Sequence, residues 1–169
     1  MARKIRTLDY VIISHFDSDH SGGIQEVLEA LKVKNLVISK QVEQSEEFSN
    51  IIKIAKQRKT NIITVKATQK VNLDKKVSFS ILWPELENPI LENALNNNSI
   101  VGKLTYGNFQ MLFTGDIEQI AEEKIIEKYG QKLKSTVLKI AHHGSKTSSI
   151  EDFINVVNPQ IALIGVRKK

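Results

Sequence analysis

Four side chains able to hold a metal, His15, Asp17, Asp19 and His20, fall within the six residues His15-Phe16-Asp17-Ser18-Asp19-His20, which lead directly into Ser21-Gly22-Gly23. Imidazole and carboxylate together are the ligand set of a hydrolytic metal centre. The stretch follows the apolar run Tyr10-Val11-Ile12-Ile13. A strand ending there and turning at Gly22-Gly23 would splay the four groups around one point. A polar turn whose aspartates cap the next helix accounts for one Asp. It does not account for two His and two Asp together.

The chain holds four histidines, and the other two are adjacent in Leu138-Lys139-Ile140-Ala141-His142-His143-Gly144-Ser145. They too follow a strand-like run and precede a glycine. Between the two sites, Met111-Leu112-Phe113-Thr114-Gly115-Asp116 is a third apolar run that ends in a carboxylate. Asp116 is also placed to cap a helix beginning near Ile117. In open α/β architectures the crevice beyond the strand ends is where sites are built, and three strands here end in ligand-type groups.

The elements that must position these groups alternate along the chain. Apolar runs of strand length are expected at Tyr10–Ser14, Leu36–Ser39, Ile62–Val65, Val77–Leu82, Ile100–Thr105, Phe109–Phe113, Val137–Ala141 and Ile161–Gly165. Spacing at i, i+3 and i+4 predicts helices over Ile24–Leu31, Phe48–Gln57, Ile117–Tyr129 and Ile150–Val157. Glu46 and Glu47 suit the first turn of the second helix, and Gly130 suits the position just past the third. Tyr106-Gly107-Asn108-Phe109 reads as a two-residue hairpin, which makes its flanking strands antiparallel. Helical crossovers mixed with hairpins imply an α/β sandwich rather than a purely parallel sheet. Pro84–Asn98, with two Pro and five Asn, is the longest stretch without a predicted element; a loop of that length in a compact domain is often functional. At 169 residues the chain is expected to form a single domain over 1–169.

The ordered set His-x-Asp-x-Asp-His, Thr-Gly-Asp and Lys-x-x-His-His-Gly-Ser resembles the metallo-β-lactamase fold. More narrowly, it is similar to the C-terminal domain of the ComEC family of competence DNA-uptake proteins, which carries Asp where Asp17 stands. Asn96-Asn97-Asn98-Ser99-Ile100-Val101, Lys139 and Lys146-Thr147-Ser148-Ser149 match that branch, and the likeness runs from about Leu8 to Val166. The resemblance implies an αββα sandwich with mixed sheets. Relatives begin with a further hairpin and end in a Gly-His-Pro, so it also implies a fold incomplete at its N- and C-terminal ends.

For the site, the resemblance implies one metal held by His15 and Asp17, a second by Asp19 and His20, and Asp116 between them. His142 is expected in the metal shell, Asp19, His143 and Ser145 as catalytic groups, and Lys139 and Lys146 as contacts to phosphate. Two metals about 3.5–4 Å apart serve phosphodiester hydrolysis well. The carboxylate-rich, thiolate-free shell suits Mn²⁺ or Mg²⁺ better than a His-rich zinc site does, with Zn²⁺ an alternative.

Composition adds bounds. The net charge of +5, from 24 Lys and Arg against 19 Asp and Glu, is compatible with DNA as a partner. Cations on Asp17, Asp19 and Asp116 would make the working surface more positive still. The absence of Cys excludes disulfides and thiolate ligands. No apolar run approaches the ~20 residues of a membrane span. Arg3, Lys4 and Arg6 precede no signal-peptide core. In the resembled family such a domain is joined to a membrane channel, so a membrane-linked bacterial parent is expected. Three functions follow: a metal-dependent nuclease acting during DNA uptake, a hydrolase of a small ester, lactone, thioester or phosphodiester, or an inactive metal- or DNA-binding remnant.

Overall fold

The computed structural model describes residues 5–40, 42 and 45–166; the basic residues Arg3, Lys4 and Arg167 to Lys169 lie outside them. Three parallel strands, β1 (Thr7–Ile12), β2 (Lys32–Ser39) and β3 (Asn61–Val65), form one sheet in that order. The helices α1 (Ser18–Ser21) and α2 (Ile24–Ala30) connect β1 to β2, and α3 (Glu46–Gln57) connects β2 to β3. The central strand β2 runs Leu36-Val37-Ile38, all buried, because it is covered on both faces. Leu36 and Ile38 meet α2 and α3 through Leu28, Ile51 and Ala55, whereas Val37 faces the second sheet.

That second sheet has six strands in sequence order: β4 (Lys70–Asp74), β5 (Val77–Trp83), β6 (Val101–Tyr106), β7 (Phe109–Phe113), β8 (Val137–Lys139) and β9 (Ile161–Leu163). The first four are antiparallel, and β7, β8 and β9 are parallel. The predicted hairpin closes with Tyr106 opposite Phe109. Phe79 and Ile81 face the three-stranded sheet; a register shift between Ile81 and Trp83 turns Trp83 to the other face. There it joins Leu112, Leu138, Ile117, Ile125 and Phe153 beneath α5 (Gln119–Tyr129) and α6 (Glu151–Val157). The layers are therefore helix, sheet, sheet, helix. Of the described residues, no helix is long and apolar enough to cross a membrane.

Several boundaries differ from the sequence expectation. The first strand ends at Ile12, because the chain turns away there to begin the ligand stretch. Strand β4 was absent from the prediction: Lys70-Val71-Asn72-Leu73-Asp74 alternates, but only two apolar residues carry the pattern. The Pro84–Asn98 segment contains a helical turn, α4 (Ala94–Asn97). Helix α5 starts two residues later than predicted, with Glu118 rather than Asp116 at its N-cap. By contrast, Ser45 caps α3 as its position suggests, its Oγ accepting from the Phe48 N–H at 3.1 Å.

Helices α5 and α6 are tied by a buried acid. Glu122 is fully buried, and its two carboxylate oxygens accept the N–H groups of Ser149 (2.7 Å) and Ile150 (3.0 Å) at the head of α6. Burial pushes its carboxyl up, and the two backbone donors pull it back. Glu122→Ala leaves two part-buried donors without their acceptors, so urea unfolding should show a loss on the order of 2 kcal/mol. A loss under about 0.5 kcal/mol, the range of ordinary surface changes, would show that water replaces the carboxylate.

Candidate metal centre

The ligand-type residues lie where the two sheets meet. After β1 the chain passes through Ser14 and His15 and enters the single turn of α1, with Asp17 at its N-cap position. This turn, rather than one at Gly22-Gly23, sends Asp19 and His20 outward. From the other sheet, β7 ends and Gly115 (φ +56°) turns the chain so that Asp116 points back across the seam. Strand β8 leads into a tight turn over Ala141–Gly144. His142 and His143 both sit there in the left-handed region, at φ 44° and 53°. Two successive non-glycine residues in that region are a local strain that the surrounding contacts must hold.

Four groups converge. One ligand atom each from Asp19, His20, Asp116 and His143 lie within 4.8 Å of one another. The His20 Nε2 is 3.1 Å from Asp116 Oδ2 and 3.0 Å from His143 Nε2. The His143 Nε2 is in turn 3.1 Å from Asp19 Oδ2 and 3.2 Å from Asp116 Oδ2. Two imidazole nitrogens and two carboxylate oxygens aimed at one spot form a donor set that suits a divalent cation.

The far side of each ring supports that use. The Nδ1–H of His143 donates to the Gly165 carbonyl at 2.7 Å, which leaves its Nε2 as a lone pair facing the cluster. His20 contacts Ser14 Oγ through Nδ1 at 3.4 Å, and the same hydroxyl lies 3.1 Å from His15 Nδ1. Ser14 thus orients two rings. Ser14→Ala should reduce Mn²⁺ affinity about 10–100-fold in calorimetry, the usual effect of removing such a partner. Unchanged affinity would show that packing alone sets the ring orientations.

His15 is wholly buried, and among the described residues its Nε2 has no hydrogen-bond partner, although Asp17 Oδ2 stands 3.6 Å away. Burial, and then the nearby His20, lower its pKa to about 4, so the ring is neutral near pH 7. An orphaned buried nitrogen beside a carboxylate is unfavourable in itself, and a second cation there would satisfy it. Burial, followed by the neighbouring Asp19, raises the Asp17 carboxyl. Asp116 behaves oppositely. Burial works against its charge, but His20, through its hydrogen bond and charge, together with Lys139 and His15, holds the carboxyl well below the usual carboxylate range.

The remaining expected site residues are placed differently. His142 lies outside the cluster of four, its Nδ1 turned toward Glu118 Oε1 at 3.4 Å. His143, expected as a catalytic group, is the histidine that joins it. The Lys139 ammonium points inward, bonding the carbonyls of Gly115 (2.9 Å) and Ile140 (3.2 Å) and lying 3.4 Å from Asp116 Oδ1. Its three N–H groups have acceptors, so a contact to phosphate would displace one of them. Ser145 Oγ is engaged with Thr147, at 3.1 Å from its hydroxyl. Lys146 is exposed, with no hydrogen bond or ion pair to a described residue.

One hub was not foreseen. Glu118, largely buried, accepts from Asn93 (2.7 Å) and Thr147 (2.7 Å), with Asn97 at 3.4 Å and His142 beside it. It fastens the Asn-rich segment to the His-His turn. Its one sequence signal was an acid two residues after Asp116.

Comparison with known proteins agrees with this architecture. The model of the metallo-beta-lactamase superfamily matches residues 1–166. The chain is 33% identical over 99% of its length to the ComE operon protein 3 of Bacillus subtilis (strain 168), and 35% identical over 96% to the competence protein ComA of Neisseria gonorrhoeae. It spans about a fifth of those two relatives, 21% and 20%. Among solved structures, Igni18, a metallo hydrolase from Ignicoccus hospitalis KIN4/I, superposes with a TM-score of 0.59 at 16% identity, over 92% of this chain and 62% of that one. The family model covers nearly the whole chain, and the chain belongs to the metallo-beta-lactamase superfamily.

Proposed function

We propose that this chain is a metal-dependent phosphodiesterase that cleaves DNA, and that it does so as part of a DNA-uptake protein. The observation that carries the reading is the convergence of Asp19, His20, Asp116 and His143 within 4.8 Å, with the buried, unpartnered His15 beside Asp17 next to them. The competence relatives, matched over nearly the whole chain, supply the DNA context. Asp19, His20, Asp116 and His143 would hold one divalent cation, and His15 with Asp17 would hold a second; three imidazoles and three carboxylates without a thiolate suit Mn²⁺ or Zn²⁺. When bound, such cations stabilise charge on phosphoryl oxygens and acidify an attacking water.

The chain's own groups do the rest. The Gly165 carbonyl keeps His143 in the tautomer whose Nε2 lone pair faces the reaction centre, and Ser14 holds the His20 ring with its Nε2 toward it. Lys139 holds the Gly115 carbonyl and Asp116 Oδ1, leaving Oδ2 directed at the cluster. Asp19, its side chain 61% exposed, is the cluster member that substrate and solvent reach most readily. It is also the group best placed to accept a proton from an attacking water or release one to a leaving alkoxide.

The test is cleavage of plasmid and linear DNA by the purified chain with Mn²⁺, against EDTA-treated protein. Metal-dependent cleavage that disappears with EDTA is the expected result. Turnover of a lactone or thioester with no DNA cleavage under any divalent metal would replace this reading with a small-molecule hydrolase.

A further inference from the structure

Next to the metal centre, Asp17 stands at the edge of a cavity of about 410 Å³ whose walls include Lys40, Leu91, Asn93, Asn96 and Asn98. That size lies within the range of small-ligand pockets. The Asn residues play unequal parts. Asn98 is fully engaged, its Oδ1 accepting from the Ile90 N–H and its Nδ2 donating to the carbonyls of Ile90 and Ala94. Asn93 donates to Glu118. These two fix the shape of the wall. Asn96 does not: its side chain hydrogen-bonds to no described residue, and its Oδ1 is buried without a partner.

Two more groups at this cavity face solvent. Leu91 is 76% exposed, an apolar side chain left in water on the rim. Lys40 is exposed and has no ion pair or hydrogen bond to a described residue. An uncommitted carboxamide, an apolar surface and a cation thus surround a recess that opens at a metal ligand. Among the described residues that line the recess, Asp17 is the only acid.

We infer that this cavity is a nucleoside subsite, holding the sugar and base of the nucleotide attached to the phosphate at the metal centre. This rests on the phosphodiesterase reading above. Leu91 packs against the face of the base or deoxyribose, where apolar contact replaces water. The Asn96 carboxamide pairs with a base-edge carbonyl or ring nitrogen, and Lys40 meets the next phosphate along the strand. Every base carries an acceptor on its edge for a carboxamide N–H, so the subsite confers preference for nucleotides over other phosphodiesters without sequence readout.

The test compares thymidine 5′-monophosphate with methyl phosphate, two monoesters of equal charge, by calorimetry on the Mn²⁺-loaded chain. Thymidine 5′-monophosphate should bind about tenfold more tightly, and Leu91→Asp or Asn96→Ala should bring the ratio of the two Kd values close to one. Leu91 is exposed, so its variant opens no core cavity and keeps the test independent of folding. Equal affinities in the unmodified chain, or a ratio that neither variant changes, would overturn the subsite while leaving the phosphodiesterase reading intact. If neither phosphate binds, that reading falls and the subsite falls with it.

Discussion

Asp19→Ala is expected to lower Mn²⁺-dependent DNA cleavage by at least about 100-fold, while thermal unfolding of the metal-free protein stays within a few degrees of the unmodified chain. The first half follows from position. Asp19 Oδ2 lies 3.1 Å from His143 Nε2 within the cluster of four, so its loss removes both a ligand oxygen and the most accessible carboxylate of the centre. Even changes to groups one step behind the ligands cost 10–100-fold in affinity or activity. The second half follows from exposure. A side chain 61% exposed on a single helical turn fills no core volume, so the variant creates no cavity. Cleavage assays on supercoiled plasmid, with metal content by calorimetry, separate the two effects. Retained cleavage would place the activity elsewhere on the chain or in a contaminant.

Gly115→Val should be the most damaging single change to the fold around the site. Gly115 has φ +56°, a conformation costing a residue with a Cβ roughly 1–2 kcal/mol and a β-branched one more. A Cβ there would stand 2.6 Å from Ser99 Cβ and 3.2 Å from Ser14 Cβ, so three chain segments must separate to admit it. Overpacking of this kind adds about 1–3 kcal/mol. The expected result is a destabilisation of about 3–5 kcal/mol in urea unfolding, together with loss of tight Mn²⁺ binding. The same shift displaces Asp116, whose N–H donates to Ser99 Oγ at 3.2 Å, and Ser14, which orients both N-terminal imidazoles. A variant with near-normal stability would show that the Ser99 segment yields more readily than its buried position suggests.

The parts of this molecule that were legible from sequence are those in which one local pattern determines one outcome. The strands around Leu36, Phe79, Leu112 and Leu138 carry enough β-branched and apolar residues to declare themselves, and the Tyr106–Phe109 hairpin follows from Gly107-Asn108. The convergence of Asp19, His20 and Asp116 was readable because each closes or follows an apolar run. The roles of His142 and His143 were not readable. Adjacent residues in an extended chain point to opposite faces, but both of these occupy the left-handed region, so the direction of each ring depends on a turn that sequence spacing does not specify. The surroundings of Lys139 were not readable for a related reason. A lysine near a predicted site suggests phosphate, yet its ammonium is satisfied by carbonyls of a bend brought close only by tertiary folding. Strand β4 escaped because two apolar residues, Val71 and Leu73, cannot distinguish an edge strand from a loop.

The seam between the sheets has one more consequence. His20 belongs to the β1–β2 half of the chain, whereas Asp116 and His143 lie 96 and 123 residues further on. A cation gripped by all three closes two very long loops at once, in a chain that has no cysteine with which to cross-link itself. Loop-closure entropy rises with the length enclosed, so ties at these separations restrict the unfolded chain far more than a contact between neighbouring turns would. A cation bound there would then also act as the stitch holding the two sheets in register.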